Sequence, residues 1–228
     1  MKLTIKTLVL STTTFGLMWG VAQNVQATNL IGGVTASTTI SGQATWNLDD
    51  TVNGKGLPGN IPSLIGDHAP SMNGDSWRSV VNPTLGSTGT ITFNLNGSYN
   101  LGGFTFWNIG GGSQELTRQG ISGVTIEYSS NGGTTWTSLT GAPNSFTQGT
   151  SGMPATDQTP QSFSFAPVAA TQVRFINLSN FGGFTTPSTN NRIGFSEIQF
   201  AGTKIPEPSS LLALLAFGLA GVSLGKRI

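Results

Sequence analysis

Between Asn177 and Ile193 the chain gathers Asn180, Phe181, Phe184, Asn191 and Arg192, side chains of the types that can grip a sugar ring. An aromatic face stacks on the apolar face of a pyranose, while guanidinium and carboxamide groups hydrogen-bond its hydroxyls. Phe181 and Phe184 flank Gly182-Gly183, which predicts that at least one ring lies at the surface. The competing expectation is that both rings plug the end of a barrel. The segment Trp107–Gln119 adds Asn108, Gln114, Glu115 and Arg118, and an earlier segment adds His68 and Arg78. Catalysis has far less to draw on. His68 is the single histidine, expected to be exposed in a Pro/Gly-rich loop, with no G-x-S-x-G elbow or second histidine near it. Asp49 and Asp50 are chain neighbours and point apart if extended, so no carboxylate pair for glycoside hydrolysis presents itself. The absence of cysteine excludes disulfides, thiolate chemistry and cysteine-based metal sites.

The elements that must position these residues are strands. Only 8% of the 228 residues are charged, and glycine-punctuated runs of Thr, Val, Ile and Phe replace long amphipathic stretches. Ile91, Phe93 and Leu95 alternate with Thr92 and Asn94, and Val124, Ile126 and Tyr128 with Thr125 and Glu127. Phe163 with Phe165, Val173 with Phe175, and Ile198 with Phe200 repeat the same spacing of two. Each run predicts a strand with one buried face. Asn131-Gly132-Gly133, between Tyr128 and Trp136, predicts a hairpin turn, because these residues accept positive φ. Trp77 and Trp136 are expected in the core. Pro and Gly break 53–73 and 141–160 into loops.

Both ends differ from this middle. Lys2 and Lys6 precede an apolar run from Leu8 to Val21, and Val25-Gln26-Ala27 supplies a small-x-Ala cleavage site, so residues 1–27 read as a signal peptide cut after Ala27. Near the other end Pro206-Glu207-Pro208 precedes Ser209–Gly225, seventeen residues without a charge, and then Lys226-Arg227. As a helix that run spans roughly 25 Å, the short end of a bilayer crossing. It is apolar on every side, with no polar stripe to face water, so a transmembrane helix over 209–225 is expected. The basic tail then stays cytoplasmic and the domain lies outside the inner membrane. With the ends set aside, residues 28–204 carry eight acids against six bases, and no basic stripe exists to meet phosphates. Nucleic acid is therefore excluded as a partner.

The tripartite end at residues 205–228 resembles the PEP-CTERM sorting signal. The resemblance implies a Gram-negative, exopolysaccharide-producing host and a membrane-embedded exosortase that cuts near the motif and delivers the protein to the surface. Pro206, Glu207 and Pro208 would then be a processing address. The precursor would be anchored in the inner membrane, and the product would be cell-surface or extracellular.

In the middle, the stretches LDDTVNG (48–54), SW (76–77), GTITFNLNGSYNLGGFTFWN (89–108), GVTIEYSSNGGTTWTSL (123–139), ATQVRFINLSN (170–180) and GFSEIQFAG (194–202) follow one another in order. Their sequence is similar to the discoidin or coagulation-factor C-type domain, a galactose-binding-like fold. The resemblance implies an all-β chain, a single jelly-roll β-sandwich over 28–204. It departs from the family in a long insertion, Lys55–Asp75, before Trp77. Family members often hold a structural calcium, which here places candidate ligands at Asp50, Asn53 and Glu197; carboxylates with loop carbonyls suit that hard cation. The competing expectation is that Asp49 and Asp50 begin a turn and Glu197 pairs with an arginine such as Arg174. The leading functional expectation is a non-catalytic protein binding extracellular polysaccharide through Arg78, Asn108, Arg118, Asn180, Phe181, Phe184, Asn191 and Arg192. A structural envelope or biofilm protein is the alternative, and a glycan-processing enzyme comes third.

Overall fold

The computed structural model describes residues 29–72, 74–81, 89–183 and 191–206. The signal segment with Ala27, Phe184, and Glu207-Pro208 with the apolar run behind them lie outside the described residues. Among the described residues no helix is long and apolar enough to cross a membrane.

The described residues form seven strands: β1 (Thr35–Thr38), β2 (Trp77–Arg78), β3 (Ile91–Asn108), β4 (Ile121–Ser129), β5 (Thr137–Ser138), β6 (Gln161–Asn180) and β7 (Gly194–Lys204). Among the described residues they are joined by loops, two 3-10 turns (Leu48–Thr51 and Pro58–Asn60) and one short helix, α1 (Gln114–Arg118). These seven strands pair antiparallel throughout, in the order β2-β7-β3-β6-β4-β5, with β1 added on β3.

The two longest strands build both layers of the sandwich. The first part of β3, Ile91–Asn94, pairs with β1 and with the second half of β6. Its later part, Tyr99–Phe106, pairs with the first half of β6 and with β7. The register shifts between Asn94 and Tyr99, where Asn96 adopts φ 53°; such a bulge bends and twists a strand. One layer is thus β2-β7-β3-β6 and the other β1-β3-β6-β4-β5. Phe93 and Phe175 from one layer meet Phe104, Phe106, Phe195 and Phe200 from the other. Phe146, from the loop after β5, stacks on Phe106 at 3.9 Å and 16°. The spacing of two read from the sequence holds in β3, where Ile91, Phe93 and Leu95 are fully buried and Asn94 is exposed.

The two tryptophans expected in the core part company. Trp77 is buried, as expected, and meets Phe195 edge-on. Trp136 is not core: it is half-buried at the sheet edge, where β5 has only two residues, both exposed. There it lies over the Arg174 guanidinium at 4.3 Å, and Arg174 pairs with Glu127 at 2.6 Å rather than with Glu197. Because this cluster is partly in water, Arg174→Met is expected to cost only about 1 kcal/mol in urea denaturation. A loss of several kcal/mol would mean that the cluster is buried more deeply than described.

The insertion Lys55–Asp75 folds back over the outer side of β3. Trp107 Nε1 donates to Gly66 O (2.9 Å), and Thr105 Oγ1 to Leu64 O (3.0 Å). His68, expected to be exposed, is fully buried in this loop, with its ring nitrogens 2.6 Å from Ala69 O and 3.1 Å from Asp75 O. The insertion thereby delivers Ser71 and Met72 to the end of the sandwich where β2 meets β7.

Candidate functional site

At that end lies a cavity of about 410 Å³, walled by Trp46, Met72, Arg78, Glu115, Leu116 and Arg192, with Ser71, Ser113 and Gln119 completing its lining. Backbone pairing sets the geometry. Gln43 N donates to Arg78 O (2.9 Å), Ser79 N to Ile193 O (2.8 Å), and Gly194 N to Gln119 O (2.9 Å). These three bonds bind the loop after β1, β2, the end of α1 and the start of β7 into one rim.

Gln43 is the hub of the side chains. Its Oε1 accepts from Arg78 Nε (2.6 Å) and from Arg192 Nη1 (2.9 Å). Arg78 Nη1 also donates to Gln119 Oε1 (3.3 Å), and Arg192 Nη1 to Ser79 O (2.9 Å). The Arg78 guanidinium lies 4.1 Å over the Trp46 ring. Burial holds the Arg78 pKa below its ordinary value, with the positive charge of Arg192 adding to the effect. Burial lowers Arg192 as well. Both stay cationic at any physiological pH, since a guanidinium is by far the most basic of the side chains. Gln43→Ala is expected to lower stability by ~1–2 kcal/mol, read as a fall in melting temperature, because two charged donors lose a shared acceptor.

The structure sorts the residues singled out from sequence. Arg78 and Arg192 reach the cavity together. Asn108 is buried and braces loops: its Nδ2 donates to Ile121 O and Thr147 O, and its Oδ1 accepts from Ile109 N and Ile121 N. Asn180 and Asn191 are buried, Asn180 Nδ2 donating to Arg192 O at 2.6 Å. Asn180 therefore shapes the backbone that carries Arg192. Arg118 is exposed on α1 and Phe181 half-buried after β6, and neither lines the cavity. Trp46 escapes sequence reasoning, although a tryptophan set between Thr45 and Asn47 in a polar loop is a visible signal.

A second cluster sits between the turn at Leu48–Thr51 and β7. Glu197 is fully buried; its Oε1 accepts from Gly54 N (3.1 Å) and from Gln199 Nε2. Asp50 is buried too, and its Oδ1 meets Lys55 Nζ at 2.5 Å and Asn53 Nδ2 at 3.4 Å. Asn53 Oδ1 in turn accepts from Lys55 N (3.0 Å). The other oxygens, Asp50 Oδ2 and Glu197 Oε2, are buried with no hydrogen-bond partner. Burial pushes the Glu197 carboxyl up to about 8; the bonds from Gln199 and Gly54 oppose this, and the Asp50 carboxylate adds to it. Orphaned buried carboxylate oxygens are costly, and a proton or a cation relieves them. No group of three or more His, Cys, Asp or Glu converges among the described residues. Any cation here would thus take two carboxylates and complete its shell with neutral oxygens, a donor set that fits calcium.

Residues 34–194 match the F5/8 type C domain family, and residues 204–227 match the PEP-CTERM protein-sorting motif. No curated protein matches the chain. Among solved structures, the family 32 CBM of Clostridium perfringens NanJ in complex with galactose aligns at 13% identity and TM-score 0.46, covering 74% of this chain and 93% of that one. CpGH89CBM32-5 from the same organism, in complex with GalNAc-beta-1,3-galactose, aligns at 16% and 0.47, covering 75% and 99%. The C. perfringens glycoside hydrolase CpGH89, in complex with GlcNAc-alpha-1,4-galactose, aligns at 16% and 0.45; the match covers 78% of this chain but 15% of the hydrolase.

Proposed function

Since the chain belongs to the F5/8 type C domain family, we propose that it is an exported, non-catalytic protein that binds carbohydrate of the extracellular matrix at the Trp46–Arg78–Arg192 cavity. The observation that carries this reading is the pair of arginines held on Gln43 beside Trp46 in one concave wall. Fixed donors next to an aromatic side chain suit a polyhydroxylated ring, whose hydroxyls need partners and whose C–H face needs apolar cover. Met72 and Leu116 add that apolar cover.

Asp50 and Glu197 would hold a calcium ion, with Asn53 close by. Such an ion supplies the positive charge that the two orphaned oxygens lack, and so fixes the turn before Gly54 against β7. Its role is structural. Within this reading Arg78 and Arg192 orient the sugar, Trp46 excludes water from one side, and Gln43 keeps the two guanidiniums together.

The PEP-CTERM motif supports export and processing by an exosortase, with the inner membrane holding the precursor. Replacing Pro206 and Pro208 by Ala is expected to leave uncleaved protein in the membrane fraction; normal release would remove that claim.

The binding claim is tested with full-length protein in a sugar-free detergent on a glycan array, beside Arg192→Ala. Binding to at least one glycan, lost on substitution, is expected. Absence of binding to every glycan would favour the alternative, a structural envelope protein without a specific ligand.

A further inference from the structure

The cavity carries more positive charge than its walls neutralise. Two guanidiniums, Arg78 and Arg192, line it against a single carboxylate, Glu115, which is exposed on α1. Whatever Glu115 itself meets, one positive charge is left in excess. The guanidiniums converge on the neutral amide oxygen of Gln43, at 2.6 and 2.9 Å. Holding two like charges on one partial charge is unfavourable unless an anion arrives to complete the set. Burial depresses the basicity of both arginines, and Arg78 feels the charge of Arg192 besides.

We propose that the cavity takes an acidic saccharide, a hexuronate unit whose carboxylate lies against Arg78 and Arg192. A carboxylate offers two oxygens and about four lone-pair sites, which match guanidinium donors in a way that a hydroxyl cannot. The sugar ring then lies along Met72, Leu116 and the edge of Trp46, whose face the Arg78 guanidinium covers, and the carboxylate points at the two arginines that Gln43 holds together. A neutral hexose would satisfy hydroxyl contacts and leave the excess charge uncompensated. The inference rests on the reading of this cavity as the glycan site.

The test compares polygalacturonate with the same polymer after its carboxylates are reduced to primary alcohols, using full-length protein. Polyglutamate serves as a polyanion that lacks sugar. The unaltered protein is expected to bind polygalacturonate at least about tenfold more tightly than the reduced polymer, the advantage of a charge-assisted bond over a neutral one. It is expected to ignore polyglutamate. Arg192→Gln is expected to bring the two polysaccharides to equal affinity, and Arg192→Lys to restore part of the difference. Equal binding of both polysaccharides by the unaltered protein would overturn the acidic ligand and leave the glycan reading standing. Equal binding of polyglutamate would overturn it too, because charge alone would then suffice. Failure to bind any glycan at all would remove the reading beneath it. The polymer comparison is made on the unaltered chain, so it decides the matter even if a variant fails to fold.

Discussion

Stripped of divalent cations, the protein is expected to lose stability as pH rises from about 5 to about 8, and calcium is expected to abolish that loss. The cause is Glu197, whose carboxyl is pushed up to about 8 by burial and by the Asp50 carboxylate beside it. In the unfolded chain a glutamate releases its proton near 4.3. Between these values the native state holds a proton that the unfolded state has lost. Stability therefore falls with rising pH across that window, at up to ~1.4 kcal/mol for each tenfold change in proton concentration. Several kcal/mol are at stake over the whole range, against a total stability of about 5–15 kcal/mol for a domain of this kind. Below about pH 4 both states are protonated and the effect disappears.

A calcium ion on Asp50 and Glu197 would hold the carboxylate ionised and so remove the trend, because protons and the cation compete for the same oxygens. Saturating the site a hundredfold above its Kd would add ~2.7 kcal/mol. Thermal unfolding in EDTA and in calcium, at three pH values, checks both statements. Glu197→Gln is expected to flatten the EDTA profile and to remove the calcium response. Identical curves with and without calcium would eliminate the ion, and a flat profile in EDTA would contradict the burial of the acid.

Trp77→Ala is expected to cost ~3–5 kcal/mol, a large share of the total stability of a domain of this kind. Trp77 is among the largest fully buried side chains and meets Phe195 at 6.0 Å. It also anchors β2, a strand of two residues, in the layer that carries the cavity. Gly42 lies against its indole: a Cβ there would stand 3.0 Å from Nε1. Removing the ring would release both Arg78, its chain neighbour, and the Gly42-Gln43 segment that ties Arg78 to Arg192. Urea denaturation is expected to show the loss, and glycan binding to fall with it. Trp77→Phe, which keeps an aromatic ring but loses volume, is expected to cost less than half as much. A change below about 1 kcal/mol for Trp77→Ala would show that β2 does not depend on this ring.

Where strands have one buried face, their alternation is plain in the residues. Ile91, Phe93 and Leu95 announce β3 because water and core impose opposite demands on neighbouring side chains. Trp136 misleads because its hydrophobic bulk says nothing of position within a sheet. At the edge strand β5 the Arg174 guanidinium covers it in place of core side chains. Glu197 and Asp50 are picked out by resemblance to a family, yet their orphaned oxygens emerge only when distant parts of the chain pack together. His68 is buried by the insertion that surrounds it, an enclosure no local pattern encodes.

The cavity is the least legible part. Arg78 and Arg192 stand out as candidates, but the glutamine that joins them does not, since Gln43 has no chemistry of its own to attract notice. Loop aromatics draw attention to Phe181, while the ring that lines the cavity, Trp46, stands far earlier in the chain. Asn108, Asn180 and Asn191 have sugar-binding chemistry, yet Asn108 and Asn180 direct theirs to backbone carbonyls and all three are buried. Residue type proposes a contact; only the fold decides which partner it meets.

Titrating a bound glycan into isotope-labelled protein and following the tryptophan indole N–H resonances puts the cavity to the sharpest test. The chain has five tryptophans, and the Trp46 signal is assigned by its loss in Trp46→Phe. Saturable movement of the Trp46 resonance, with the Trp136 resonance unmoved at the sheet edge, is the expected result. Saturable binding that shifts Trp136 and leaves Trp46 in place would put the ligand elsewhere and refute the assignment of the cavity.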